Sequence, residues 1–307
     1  MGYAYMLAVL AACTGMAFIY RWSERRQADR MVMVAAMGAA ATVCIVAHIL
    51  GFGVDLRTAH PSEWAIGAVL CLLGLTGIPC FLAAVARGDL SITWTILTLT
   101  FAPASAMSMI YPGETARPLG VFGLVLAAAA IVLLGLDMAQ RHRSGRPDKP
   151  RKGWWLFMSL AAATNALSMY AYKLASALPE RLGAPASPGA SAANTAAFLL
   201  VTYAGIAVLA PIALALMGRR GTFGPGAGIG ALGGLVIVVL GFFMMATLSS
   251  GIPGYLVFPV TSGGGNVVVA ALSFVFLKER PSAFGWAGLV VGLASFVVFG
   301  FAMASPA

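Results

Sequence analysis

Two asparagines stand out in this 307-residue sequence. Asn165 lies in the run LAAATNALSMYAYKLAS and Asn266 in FPVTSGGGNVVVAAL, each in the middle of an apolar stretch. An amide both donates and accepts, so each needs several partners. In an apolar setting it either bonds neighbouring helices or lines a pocket for a polar ligand. Around them run two polar stripes at helical spacing. Trp94, Thr98, Phe101, Ser105 and Ser108 recur at i, i+4, i+7, i+11 and i+14, and so fall on one helix face. Tyr255, Pro259, Ser262, Asn266, Val269 and Ser273 do the same in a second segment, and Asn165, Ser168 and Tyr172 in a third. Tyr203 is a further aromatic candidate. The candidate ligand-binding set is Trp94, Thr98, Ser105, Asn165, Ser168, Tyr203, Ser262 and Asn266. It suits a zwitterion or a hydroxylated metabolite, with Trp94, Tyr203 and Tyr255 giving apolar contact.

Both stripes carry helix-weakening residues. Pro103 removes one helical hydrogen bond. Gly263, Gly264 and Gly265 each weaken a helix by ~1 kcal/mol relative to Ala. Interruptions at corresponding places in two halves of a chain point to a midplane binding site.

Titratable chemistry is sparse. The ten acidic residues all lie in loops or within a few residues of an apolar run's end, so no carboxylate is expected to be buried in the bilayer. His48 is the one ionisable residue well inside an apolar run, a possible proton relay but better read as a hydrogen-bonded interfacial histidine. No GxSxG, HExxH or intramembrane aspartate pair is present, which argues against a membrane enzyme. Cys13, Cys44, Cys71 and Cys80 lie in apolar runs without CxxC or metal spacing and read as packing residues. No metal or cofactor is expected.

The elements that must position these residues follow from composition. Hydrophobic residues make up 60% of the chain and charged ones only 9%. A soluble domain carries ~25% charged residues, so a soluble protein is excluded. Apolar runs at about 2–20, 31–53, 64–86, 91–111, 119–138, 153–173, 195–217, 228–250, 255–277 and 283–303 are each long enough to cross a bilayer as a helix. The expectation is an all-α integral membrane protein with ten transmembrane helices. Residues 2–20 are followed, not preceded, by basic residues, so they read as a retained first span. Trp22, Trp64, Trp154, Trp155 and Trp286 lie near span ends, where an aromatic belt belongs.

The net charge of +9 reports topology, not nucleic acid, because the basic residues sit between apolar runs. Fifteen of the 19 Lys and Arg fall in the odd-numbered connections. The positive-inside rule puts those connections in the cytoplasm and both termini outside.

The basic segment 139–152 divides the spans into 1–138 and 153–307, five and five. The two halves resemble each other. Gly123 matches Gly288, Glu114 matches Glu279 and Gly135 matches Gly300, all at an offset of 165, while Gly88 matches Gly251 at 163. A repeat with an odd number of spans must be inverted when it recurs, as in alternating-access transporters.

The stretch LSFVFLKERPSAFGWAGLVVGLASFVVFG resembles the end of an EamA-type half in the drug/metabolite transporter superfamily. There an apolar span ends in Glu, then Pro or Ser, then a Gly-rich last helix. VARGDLSITWTIL followed by Glu114 is similar to the same end of the first half, and LAAATNALSMYAYKLAS to the family's opening helix. The resemblance implies two inverted five-helix EamA-like repeats, 1–138 and 153–307, joined by a cytoplasmic linker. It also implies a multi-pass protein of the bacterial inner membrane, a monomer or weak homodimer, moving a small polar or zwitterionic metabolite such as an amino acid. A flippase for a lipid or lipid-linked sugar is the main rival, and a channel the second. Small multidrug members of the superfamily use an embedded Glu, and no residue here takes that position. The charge-based orientation is opposite to that usually drawn for relatives.

Overall fold

The computed structural model describes residues 2–87, 90–111, 117–143, 152–183, 187–216, 224–265, 267–268 and 282–304. Every regular element among them is helical: α1 (Gly2–Arg25), α2 (Arg30–Phe52), a 3-10 turn (Leu56–Thr58), α3 (Pro61–Val85), α4 (Leu90–Leu99), α5 (Phe101–Ile110) and α6 (Pro118–Arg143). After the basic segment come α7 (Trp154–Arg181), α8 (Pro188–Leu216), α9 (Pro225–Ser249), α10 (Gly254–Phe258), a π-helical turn (Pro259–Gly263) and α11 (Ala283–Ala304). Six of these helices are long and apolar enough to cross a membrane: α1, α2, α3, α6, α8 and α9. Large apolar side chains such as Leu50, Phe52, Val125, Val208 and Val290 are exposed on helix surfaces. That outward apolar cover fits an all-helical multi-pass membrane protein.

Local signals set the helix ends. Asp29 caps α2, its carboxylate accepting from the amides of Met31 (3.0 Å) and Val32 (3.2 Å). Gly53 closes the same helix in the left-handed conformation, φ 63°, which a residue with a Cβ adopts only at a cost.

The chain forms two compact units, and the division falls inside α3 and α7. Unit 1 holds residues 3–79 and 171–250, and unit 2 holds 80–170 and 251–307.

In unit 1, α2 runs parallel to α9 along a glycine seam. Gly226, Gly230 and Gly234 face Asp29, Met33 and Met37 in that order. A Cβ at Gly234 would lie 2.6 Å from the Met37 carbonyl oxygen, so the two backbones touch. Helix α3 packs on α8 in the same way: a Cβ at Gly67 would lie 2.7 Å from the Phe198 carbonyl oxygen, and Thr202 Oγ1 donates to the Gly67 carbonyl at 3.1 Å. Without a hydrophobic effect between helices in lipid, such close small-residue contacts supply van der Waals attraction.

In unit 2, α6 and α11 are antiparallel. Gly123 lies against the Phe299 ring, and Gly288 against Leu134 and the Ala130 carbonyl. The seam is pinned at both ends: Arg117 Nη1 donates to the Ala302 carbonyl (3.2 Å), and the Ser282 amide donates to Asp137 Oδ1 (2.9 Å).

Candidate functional site

The fourth apolar run is not one helix. It breaks at Thr100, between α4 and α5, and Pro103 sits in the first turn of α5. Proline there forfeits nothing within α5, because a first-turn N–H has no intrahelical partner. The price falls four residues earlier: the Leu99 carbonyl loses its helical donor, and the chain turns at the next residue. At the turn Thr100 tightens onto Leu97, its amide (3.3 Å) and its Oγ1 (2.6 Å) both donating to the Leu97 carbonyl.

Asn165, on α7, serves this break. Its Nδ2 donates to Thr100 Oγ1 at 2.6 Å and to the Leu97 carbonyl at 3.4 Å. The amide thus ties α7 to the break through the Thr100 hydroxyl and, more weakly, the Leu97 carbonyl. Asn165 is only half-buried, and no described residue donates to its Oδ1. Eleven residues before it, Trp154 Nε1 donates to Thr93 Oγ1 at 3.1 Å, so the first part of α7 is tied to α4 at two levels.

The polar stripe of the fourth run is buried within unit 2. Thr98 is 8% exposed, and Phe101, Ser105 and Ser108 are not exposed at all. Ser108 Oγ donates to the Ser105 carbonyl, whereas Ser105 Oγ has no partner among the described residues. Ser168 Oγ donates to the Thr164 carbonyl of its own helix. The side chain of Trp94 and the whole of Asn266 lie outside the described residues.

The ninth run is irregular as well. After α10 the backbone forms a π turn over Pro259–Gly263, in which the Gly264 amide reaches the Pro259 carbonyl. Pro259 has no N–H to give to Tyr255, and Thr261 Oγ1 bonds the Val257 carbonyl at 2.8 Å. Gly263 ends the π turn, while Gly264 and Gly265 are α-helical. Ser262, inside the turn, is half-buried. The Tyr255 hydroxyl accepts from the Arg117 amide at 3.3 Å, so this ring braces the start of α6.

Tyr203 belongs to unit 1. Its hydroxyl lies 3.4 Å from that of Tyr172, and both side chains are buried. Phe198 meets Tyr172 edge-on at 5.1 Å. Tyr203 is therefore in a different unit from Asn165, Ser105 and Ser262. His48 is half-buried between the rings of Phe52 (4.8 Å) and Phe242 (4.6 Å).

Two expectations are corrected. Carboxylates near span ends are not all solvated. Glu63, in the first turn of α3, is 0% exposed with no partner for either carboxylate oxygen, and Asp137 is 1% exposed. Nearness to a span end fixes depth along the membrane normal, not which way the side chain packs. Trp154 is likewise no interfacial anchor: it is buried, bonded to Thr93 and packed edge-on against Trp155. Trp22, Trp155 and Trp286 are exposed. Thr100 was not among the candidates from the sequence. Its only signal in the sequence was its place three residues before Pro103; its hydroxyl makes no cap to α5 and turns back to Leu97 instead.

No family model matches the chain, and no curated protein matches it in sequence. A solved crystal structure is similar to it with a TM-score of 0.70 over 99% of this chain and 99% of that chain, at 18% identity. At that identity the likeness shows a shared fold and no activity.

Proposed function

We propose that the chain is a permease of the EamA type, moving a small polar or zwitterionic metabolite by alternating access. Ten spans form two inverted five-helix repeats, 1–138 and 153–307, and the pocket is at their broken fourth and ninth spans. The observation that carries the reading is the pair of interruptions. Thr100 and Gly263 are 163 residues apart, the offset that relates Gly88 to Gly251. Paired interruptions of this kind free backbone groups for a ligand at mid-membrane.

Packing supports the repeat. Gly67 and Gly230 are also 163 apart, and each rests on a carbonyl of a parallel neighbour, Phe198 and Met33. Each compact unit also draws on both halves, unit 1 on residues 3–79 and 171–250 and unit 2 on 80–170 and 251–307, with most of α7 in unit 2.

A thermal-shift screen of the purified protein against a metabolite library tests the proposal. A true substrate at 100 times its dissociation constant adds ~2.7 kcal/mol of stability. Hits among amino acids or similar solutes support the permease. Hits confined to lipids or polyprenyl phosphates would replace it with the flippase.

A further inference from the structure

Glu63 is fully buried, and neither carboxylate oxygen has a hydrogen-bond partner among the described residues. An ionised carboxylate in that state is among the costliest groups a protein can bury, so a buried carboxyl of this kind either carries a proton or meets a cation. The positive end of the α3 dipole favours the charge, but no amide of that turn reaches an oxygen, so the gain is far below the lost hydration.

Among the described residues beside Glu63 none supplies a compensating charge. The Glu63 amide donates to the His60 carbonyl at 3.0 Å. The His60 ring is engaged with Ser62, Nδ1 to Oγ at 2.8 Å, and the His60 amide donates to Asn194 Oδ1 on α8 at 2.8 Å. Asp55 and Arg57, in the segment before α3, are both exposed. Helix α8, packed on α3, carries no charged side chain between Pro188 and Leu216. At the end of α2, His48 stacks on Phe52 and Phe242. A metal ion would need several oxygen ligands, and no group of three His, Cys, Asp or Glu comes together among the described residues.

We propose that Glu63 is a proton-binding site that couples transport to a proton gradient. With the first turn of α3 packed as here, the carboxyl keeps its proton. When that turn is opened to water, the O–H bond breaks, the proton passes to water and the carboxylate is left hydrated. The coupling half of the proposal rests on the permease reading; the proton site does not.

Infrared difference spectra of the purified full chain in nanodiscs, recorded between acid and alkaline buffers, read the site without any substrate. The carbonyl stretch of a protonated carboxyl is expected in the parent protein and absent in Glu63→Gln. Glu63→Asp should move the band without removing it. No such band at any pH, or the same band in Glu63→Gln, overturns the proton site. Proteoliposomes given an acid-outside gradient and radiolabelled amino acids read the coupling. Glu63→Gln should lose uphill accumulation and keep amino-acid exchange. Full accumulation by that variant overturns the coupling. Absence of any uptake by the parent protein counts against the permease reading and leaves the infrared result to decide the site.

Discussion

Gly123 lies against the ring of Phe299, and a Cβ added there would come within 2.8 Å of it. The same contact recurs 165 residues along for one partner and 165 back for the other, where Gly288 meets Leu134 at 2.9 Å. The two contacts are not equally stiff. The three atoms nearest a Cβ at Gly123 are ring atoms of Phe299, whereas Gly288 also meets the Leu134 amide nitrogen at 3.0 Å and the Ala130 carbonyl at 3.1 Å. Either glycine changed to Ala should cost ~1–3 kcal/mol by overpacking. Phe299→Leu should relieve Gly123→Ala, and Leu134→Ala should relieve Gly288→Ala much less. Melting temperatures of the four single and two double variants form the cycles that test this. Equal relief in both would mean that the backbone contacts at Gly288 do not matter.

The break at Thr100 predicts the behaviour of Asn165. Asn165→Asp replaces a donor by an acceptor beside the Leu97 carbonyl, and Asn165→Ala removes the donor to Thr100 Oγ1. Each should cost ~1–3 kcal/mol of stability. If Asn165 also meets substrate through its Oδ1, affinity should fall in the surviving folded protein. Measuring melting temperature and affinity for the same variant separates the two roles, and an unchanged melting temperature would rule out the bracing role.

His48 should be dispensable for transport. Its ring is packed between Phe52 and Phe242. His48→Gln is expected to retain most activity, with a lower melting point from the lost ring contacts. Loss of gradient-driven uptake with exchange intact would instead make His48 the proton site.

The distribution of Lys and Arg predicts orientation. In a cysteine-free background, an impermeant thiol reagent applied to intact cells should label a cysteine at position 188 and leave one at position 145 untouched. The opposite pattern would invert the assignment. Removing the native thiols has one delicate step, because Cys71 is buried with its sulfur against Gly205, so Cys71→Ala is preferable to a larger replacement.

The all-helical, apolar character was legible because bilayer thickness and hydropathy fix where a span can lie, and neither depends on tertiary packing; of the ten expected spans, six are long and apolar enough to cross among the described residues. The break in the fourth run was legible only to within a turn. Pro103 is the visible marker, but a missing N–H acts on the carbonyl four residues earlier, so the chain parts at Thr100. Glu63 was misjudged for a different reason. Its burial is decided by how α3 packs, and the Gly67 contact with Phe198 that brings α3 onto α8 leaves only a glycine as its mark in the sequence. The partners of Asn165 were likewise hidden, since Thr100 and Leu97 are 65 and 68 residues away along the chain.

The α6–α11 seam has a consequence for the ancestry of the chain. Helix α6 carries a notch at Gly123 and a knob at Leu134, and α11 carries the corresponding notch at Gly288 and knob at Phe299. A helix that bears both halves of an antiparallel contact is complementary to a second copy of itself, which is the geometric condition for a self-matched pair of identical subunits. On the proposed repeat, a single five-helix copy ending in either helix would meet that condition with its own twin.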